Sequence, residues 1–354
     1  MSNETKTIVI LTPAFPANES ETYWVPSQQL FVKTLKKNFP ELNIFVLSFL
    51  YPYHKSIYEW HGIKVMSFDG MHQRKIKRVF LFMGIWQTLK EIRKENNVVG
   101  LFSFWCRECA LIGKWFGKWN KLKHFCWVCG QDARKMNKMV KLIRPRAEEL
   151  VAMSNFLANE FEKNHGIRPA HVIHNAIDPE SFPPATAQRD IDILGAGSFE
   201  PLKQYDVFTK IVKAIQQKMP GIKAYHCGVG VEKENVQSLI KELALENNFK
   251  LLGGKPHDEL MQLMRRTKVF LHPSCYEGYS TVCLEALYAG AHVVSFCDPM
   301  EGNIPHWHIV HTKEEMIEKI FEILQQPSVE YSPVLVHSMD DSVKAVMNLF
   351  GYSK

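Results

Sequence analysis

Short β-branched and apolar runs alternate with helical patterns along this chain, and the alternation starts over once near the middle. Thr7-Ile-Val-Ile-Leu-Thr12, stopped by Pro13, reads as a buried strand. A loop rich in Pro, Ala, Asn and Glu follows, then a helical stretch over 26–38. Strand-like runs recur at 44–49, 98–103, 124–128 and 150–153. After Val172-Ile-His-Asn-Ala-Ile-Asp178 comes a connector marked by Pro179, Pro183 and Pro184. Ile191-Asp-Ile-Leu194 then runs into Gly195-Ala-Gly197, and further strands fall at 223–226, 249–252, 269–272 and 292–296. Strands separated by helices imply parallel sheets covered on both faces. The pattern predicts an α/β chain of two Rossmann-like, doubly wound domains, over 1–180 and 186–335, with a C-terminal helix in 336–354. Such sheets bind ligands at the carboxyl ends of their strands, so two of them facing each other would hold a ligand in the cleft between.

A length of 354 residues suits two domains, and 46% hydrophobic with 23% charged residues is an ordinary globular mixture. The first fifteen residues lack the basic region and long apolar core of a secretion signal. Apolar runs such as 79–86 are far shorter than the ~20 residues that cross a bilayer. A cytoplasmic chain is expected, at most at the inner face of the membrane. Its eight cysteines are then reduced thiols. Cys106-x-x-Cys109 and Cys126-x-x-Cys129 have a spacing compatible with zinc. Yet 124–128 reads as a strand, where residues three apart face opposite ways, so buried thiols and no metal are expected. Trp105, Trp115, Trp119 and Trp127 could form a platform for an acceptor, but they lie inside apolar runs and core packing is the expectation.

Charge is unevenly spread. Residues 1–150 hold 24 Lys/Arg against 12 Asp/Glu, and the rest 19 against 25, so a half of +12 joins a half of −6. Cations mix with bulky apolar residues in His72-Gln-Arg-Lys-Ile-Lys-Arg78 and Lys114-Trp-Phe-Gly-Lys-Trp-Asn-Lys-Leu-Lys123. The mixture suits peripheral contact with an anionic membrane or an acidic acceptor, with a solvated helix face as the alternative. No nucleic-acid motif accompanies the charge, so no nucleic-acid partner is expected.

The densest chemistry lies between Val269 and Gly290, which reads as a strand ending at Pro273, a loop with Glu277-Gly278 and a helix starting near Ser280 or Thr281. Gly278 permits close backbone approach, and the amides around Tyr279, Ser280 and Thr281 form a helix N-terminus, a natural diphosphate site. Glu285, four residues past Thr281, returns to the same face one turn deeper, where a carboxylate can accept both hydroxyls of a ribose. Glu277, beside the phosphate, can hold sugar hydroxyls. Taken singly, Glu277 reads equally as a loop carboxylate and Glu285 as a capping residue.

Two glutamates with seven residues between them, followed by Ala-Leu-x-Ala-Gly, look like the signature of the family 4 retaining glycosyltransferases of the GT-B fold. In that family the first glutamate lies against the donor sugar and the second binds the ribose. Gly195-Ala-Gly-Ser-Phe-Glu-Pro-Leu-Lys203-Gln-Tyr-Asp206 is similar to the family's loop opening the second domain, with Gly197 and Ser198 in it. Lys203 stands where a lysine neutralises the donor diphosphate. Leu251-Leu-Gly-Gly-Lys-Pro-His257 resembles the loop beside the base, which brings in Gly254, Lys255 and Pro256. Val151-Ala-Met-Ser154 and Val172–Asp178 resemble the segments closing the first domain. There are departures. Ser198 replaces a usual arginine, a deficit of ~1–3 kcal/mol toward a diphosphate if nothing compensates. Cys129-Gly130-Gln131-Asp132 stands for His-Gly-x-Asp, and Glu19-Ser-Glu21-Thr22 stands where a glycine pair is common.

The resemblance implies a hexosyltransferase moving sugar from a UDP- or GDP-sugar to a hydroxyl acceptor, a cell-surface glycan or lipid-linked saccharide precursor, with no cofactor beyond the donor. Lys203 and the helix-terminal amides would stabilise the leaving diphosphate, and Glu277 would orient the sugar. Asp132 would work near the acceptor, with Glu19, Glu21, Tyr23, Trp24, Gly130 and Gln131 around it. Asp190-Ile-Asp192 begins a strand, at the far end from the cleft, and reads as structural. Two alternatives remain: a non-catalytic nucleotide-sugar-binding relative, motivated by Ser198 and Cys129, and a nucleotide-sugar epimerase on the same fold.

Overall fold

The computed structural model describes residues 5–22, 24–71, 73, 76–184, 188–298 and 302–352, and the chain divides into two compact units. Tyr23, Arg74 and Lys75 lie outside the described residues. Unit 1 comprises Met1–Asn175 with Met339–Lys354, and unit 2 comprises Ala176–Ser338.

Unit 1 runs β1 (Lys6–Ala14), α1 (Pro26–Asn38), β2 (Asn43–Tyr51), β3 (Lys55–Trp60), β4 (Ile63–Phe68), α2 (Ile76–Glu95) and β5 (Asn97–Phe104). It continues through α3 (Glu108–Asn120), β6 (Lys123–Val128), α4 (Val140–Ile143), β7 (Leu150–Ala152), α5 (Asn155–His165) and β8 (His171–Val172). The strands form one sheet in the order β3-β4-β2-β1-β5-β6-β7-β8. A fully parallel sheet was the expectation, and it fails at one edge, where β3 pairs antiparallel with β4. His61 and Gly62 join them as a two-residue turn with both φ positive, 47° and 72°, the geometry that matches strand twist. Residues of β3 alternate in exposure, as an edge strand requires.

Unit 2 runs β9 (Ile191–Ala196), α6 (Tyr205–Lys218), β10 (Ala224–Cys227), α7 (Lys233–Glu242), β11 (Phe249–Gly253) and α8 (His257–Arg265). Then come β12 (Thr267–His272), α9 (Thr281–Tyr288), β13 (His292–Ser295), β14 (Trp307–Ile309) and α10 (Lys313–Gln325). Its sheet is wholly parallel, in the order β11-β10-β9-β12-β13-β14. Counted within the unit this is 3-2-1-4-5-6, the doubly wound order whose switch point lies between β9 and β12. Phe208, Ile211, Val212 and Ile215 form the buried stripe of α6 and pack with Ile193, Val269 and Leu271 of those strands. Each such side chain contributes about 1.5–3 kcal/mol by leaving water. A last helix, α11 (Met339–Leu349), belongs to unit 1. Asn38 of α1 donates to Asp340 at 2.8 Å, and a Cβ on Gly100 would strike the Phe350 ring at 2.3 Å, so that glycine makes room for the end of the chain.

Three expectations change here. Trp127 is buried and Trp105 partly so, but Trp115 and Trp119 face outward from α3. The buried face of α3 is Cys109, Ile112, Gly113, Phe116 and Gly117, and helical periodicity puts positions 115 and 119 off it. Cys129 lies past the end of β6, and its thiol and that of Cys126 both reach the Trp127 carbonyl, at 3.3 and 3.9 Å. Strand alternation therefore does not separate those two thiols. Burial pushes both well up, and the described cysteines are free. Among the described residues no three His, Cys, Asp or Glu converge as a metal site would, and no helix is long and apolar enough to cross a membrane.

Candidate active site

The switch point of unit 2 brings two loops together. The loop after β9 carries Lys203 and the loop after β12 carries Glu277. They are stitched at one carbonyl: Leu202 O accepts from the Cys275 amide at 3.0 Å and the Ser274 hydroxyl at 3.2 Å. Lys203 Nζ then lies 2.5 Å from Glu277 Oε1, and His272 Nε2 lies 2.8 Å from the same oxygen. The Glu277 side chain keeps 11% exposure. Burial alone would raise its carboxyl, but the His272 hydrogen bond and the His272 and Lys203 charges overcome this and bring it down to about 2. Glu277 is thus an anion held by two donors, and Lys203 is close enough to be shared with a second anion.

Gly197 takes φ 143°, and a Cβ there would lie 2.8 Å from the Tyr205 hydroxyl. That hydroxyl is buried and has no hydrogen-bond partner among the described residues. Gly228, at φ 159°, lets the loop after β10 press on the Gly197 carbonyl, which a Cβ would meet at 1.9 Å. Ser198 is exposed on the bend beyond β9.

Helix α9 begins at Thr281 with Ser280 as N-cap and no side-chain cap. The Ser280 hydroxyl turns instead to Cys283 Sγ (3.1 Å) and His272 Nε2 (3.4 Å). A helix start carries a partial positive charge that favours an anion nearby. One amide expected there is engaged, since Thr281 N–H donates to the Tyr279 carbonyl at 3.1 Å. Gly278, Tyr279 and Ser280 are all buried. Glu285, one turn along α9, accepts from or donates to His257 Nε2 at 2.8 Å according to the protons they carry. The Glu285 hydrogen bond holds the His257 imidazole above its usual range despite burial. Gly254, Lys255 and Pro256 form the link from β11 to α8, with Lys255 paired to Glu259 at 2.9 Å. Asp190 and Asp192 lie at the start of β9 and carry Arg266 and Lys268 as partners.

In unit 1 the expected acceptor residues are tied down. Glu21 takes the Tyr51 hydroxyl at 2.8 Å and the Ala17 amide at 2.9 Å, while Trp24 stacks on Tyr51 with ring centroids 4.4 Å apart. Glu19 accepts from the His61 amide at 2.8 Å. Gly130 and Gln131 lead into a short turn after β6. Asp132 needs correction: a carboxylate working at an acceptor was expected, yet it is only 1% exposed. Its oxygens receive the Cys106 and Gly130 amides at 2.8 Å and the Cys129 amide at 3.1 Å. Burial raises this carboxyl, with the backbone amides pulling the other way. Asp132 organises the loop from within. Two backbone outliers flank the unit 1 switch point, Val25 (φ 44°) before α1 and Trp105 (φ 65°) after β5.

Sequence reasoning missed His272, His257 and Tyr205. His272 ends β12 inside an apolar run, where periodicity reads it as core. His257 stood in the quoted base-loop segment, and only its distance to Glu285 singles it out. Tyr205 gave no signal beyond its place two residues after Lys203.

Against known proteins, residues 177–327 match the family model for glycosyl transferases group 1. The phosphatidylinositol N-acetylglucosaminyltransferase gpi3 subunit of Schizosaccharomyces pombe is 24% identical over 226 residues, 61% of this chain and 49% of that protein. The N-acetylgalactosamine-N,N'-diacetylbacillosaminyl-diphospho-undecaprenol 4-alpha-N-acetylgalactosaminyltransferase of Campylobacter jejuni is 28% identical over 164 residues, 44% of this chain and 43% of that protein. The chain thus spans about half the length of these curated relatives. Anabaena HepE in complex with UDP and glucose superposes with a TM-score of 0.69 at 15% identity, covering 96% of this chain and 94% of that one. Sucrose-phosphate synthase from Thermosynechococcus elongatus gives 0.67 at 14%, over 98% and 96%. The class follows: this is a GT-B fold. Residues 177–327, most of its second unit, resemble the glycosyl transferases group 1 model.

Proposed function

We propose that the chain is a retaining glycosyltransferase that moves a hexosyl group from a UDP- or GDP-sugar to a hydroxyl of a glycan or lipid-linked saccharide. The observation that carries this reading is the Lys203–Glu277–His272 cluster at the switch point, beside a helix start without a side-chain cap. An arriving diphosphate competes with Glu277 for Lys203. As Lys203 turns to it, Glu277 keeps His272 and gains a free oxygen for a sugar hydroxyl, while Glu285 with His257 takes the ribose. The bond from C1 to the diphosphate oxygen breaks as the acceptor oxygen bonds C1 on the same face. The departing diphosphate accepts the acceptor's proton, and Lys203 with the α9 amides stabilises the growing negative charge. Support also comes from the relatives, whose names describe sugar transfer to phosphatidylinositol and to a diphospho-undecaprenol-linked sugar. A basic unit 1 and such acceptors fit peripheral contact with an anionic membrane.

The test is donor turnover across UDP- and GDP-sugars, without acceptor and with simple glycosides, reading the product anomer by NMR. One donor should be consumed, with its configuration kept and the reaction lost in Glu277→Ala. Inverted product would sink the retaining reading. A bound donor that never turns over with any glycoside would point to the non-catalytic relative.

A further inference from the structure

Unit 1 holds a cavity of about 640 Å³, a size typical of small-ligand sites, where β6 and β8 begin. Ligands of doubly wound sheets sit at the opposite, carboxyl edge, which here carries the loops over 15–22 and 129–132. The lining contains five cations, Lys114, Lys118, Lys121, Lys123 and Arg146, against two carboxylates, Glu148 and Glu149. Glu149 is already shared, with Lys114 Nζ at 2.7 Å and Arg146 Nε at 3.1 Å. Lys123 donates to the Leu349 carbonyl at the end of α11, at 2.9 Å. Lys118 lies over the Trp115 ring at 5.2 Å, and among the described residues neither Lys118 nor Lys121 forms an ion pair. The cations exceed the anions by three, concentrated on one side of α3 and its C-cap.

The face next to it identifies the source of an anion. Trp115 and Trp119 leave α3 on its outer side, and Trp119 is 82% exposed. Trp119 meets Trp86 of α2 edge-on, with centroids 6.4 Å apart, and α2 exposes Val79, Phe80 and Met83 at spacings that share one face. Tryptophan and aliphatic side chains beside unpaired lysines are the composition of a surface that sits in a lipid interface.

We propose that this cavity binds the phosphorylated headgroup of an anionic membrane lipid, with the exposed face of α2 and α3 seated in the interface beside it. The lipid source rests on the peripheral membrane contact proposed above; the anion site does not need the transferase reading. A headgroup bound there would leave the carboxyl edge of the sheet to the acceptor.

Flotation of the full chain with vesicles of phosphatidylcholine alone, or mixed with phosphatidylglycerol, tests it. The native chain should partition onto the mixed vesicles. Lys118→Gln/Lys121→Gln should lose about twenty- to thirtyfold in partitioning, at roughly fivefold per lysine. Lys55→Gln/Lys64→Gln, an equal charge loss on the β3–β4 hairpin, should lose far less. Equal losses in the two double variants, or none in the first, would overturn the cavity while leaving peripheral contact standing. If the native chain ignores both vesicles yet binds inorganic pyrophosphate through Lys118 and Lys121 by calorimetry, the lipid source falls. The thermal melt of Lys118→Gln/Lys121→Gln should match that of the native chain, since both lysines are exposed and neither forms an ion pair among the described residues.

Discussion

Replacing Lys203 with alanine should weaken the binding of a nucleoside diphosphate far more than that of the nucleoside. The Lys203 ammonium is 2.5 Å from Glu277 Oε1, and its side chain keeps 24% exposure, so it can be drawn to an incoming anion. A charge-assisted contact of this kind contributes about 1.5–3 kcal/mol, a factor of about 10 to 150 in Kd. The alanine variant suffers twice. It loses the cation, and it leaves Glu277 with His272 as its remaining donor beside the incoming diphosphate. Lys203→Ala/Glu277→Gln should therefore recover about fivefold of the loss, a non-additivity expected only of groups in contact. Calorimetric titration with UDP, GDP, uridine and guanosine at fixed salt reads all of this. A loss below threefold for the preferred diphosphate, or an equal loss for its nucleoside, would refute the placement of Lys203 at the diphosphate.

Glu277 should also leave a mark on acid stability. Its carboxyl is depressed from the ordinary 4.5 to about 2, so its contribution is present above 4.5 and is lost as pH falls from there through 2. The loss amounts to about 3 kcal/mol, should show in urea titrations read by hydrogen exchange over 267–290, and should be missing in Glu277→Gln. Asp132→Asn should orphan at least one of the Cys106, Cys129 and Gly130 amides. It should destabilise unit 1 by about 1–3 kcal/mol, a calorimetric melting drop of several degrees. An unchanged melt with activity gone would restore Asp132 as a chemical group. The His257 imidazole should titrate above 6.5 by NMR and return toward that value in Glu285→Gln; a midpoint at or below 6.5 in the native chain would contradict the pairing.

The order of elements was readable in advance because short apolar strands and Pro- or Gly-marked breaks carry it. The stretch over 26–38 begins with Pro26 and ends in Lys36 and Lys37, and it is the helix the structure forms. The hairpin was not readable as strands, since Lys55–Trp60 lacks a continuous β-branched run. Its signal was His61-Gly62 between alternating residues. Trp115 and Trp119 were misjudged by counting apolar neighbours without helical phase. At the candidate site, Lys203 and Glu277 could each be picked out by motif, but not their contact. They lie 74 residues apart, and only the adjacency of β9 and β12 joins them. Asp132 failed for a related reason: nothing in Cys129-Gly130-Gln131-Asp132 says that the carboxylate turns inward onto amides from two segments.

The most direct test of the proposed donor site is hydrogen exchange by mass spectrometry of the full chain with and without UDP- and GDP-sugars. Protection should concentrate in 198–205, 254–258 and 276–286 of unit 2, and Lys203→Ala should reduce it at the same sugar concentration. Protection confined to other segments, or none under saturating nucleotide sugar, would contradict a donor site built on Lys203, Glu277 and Glu285.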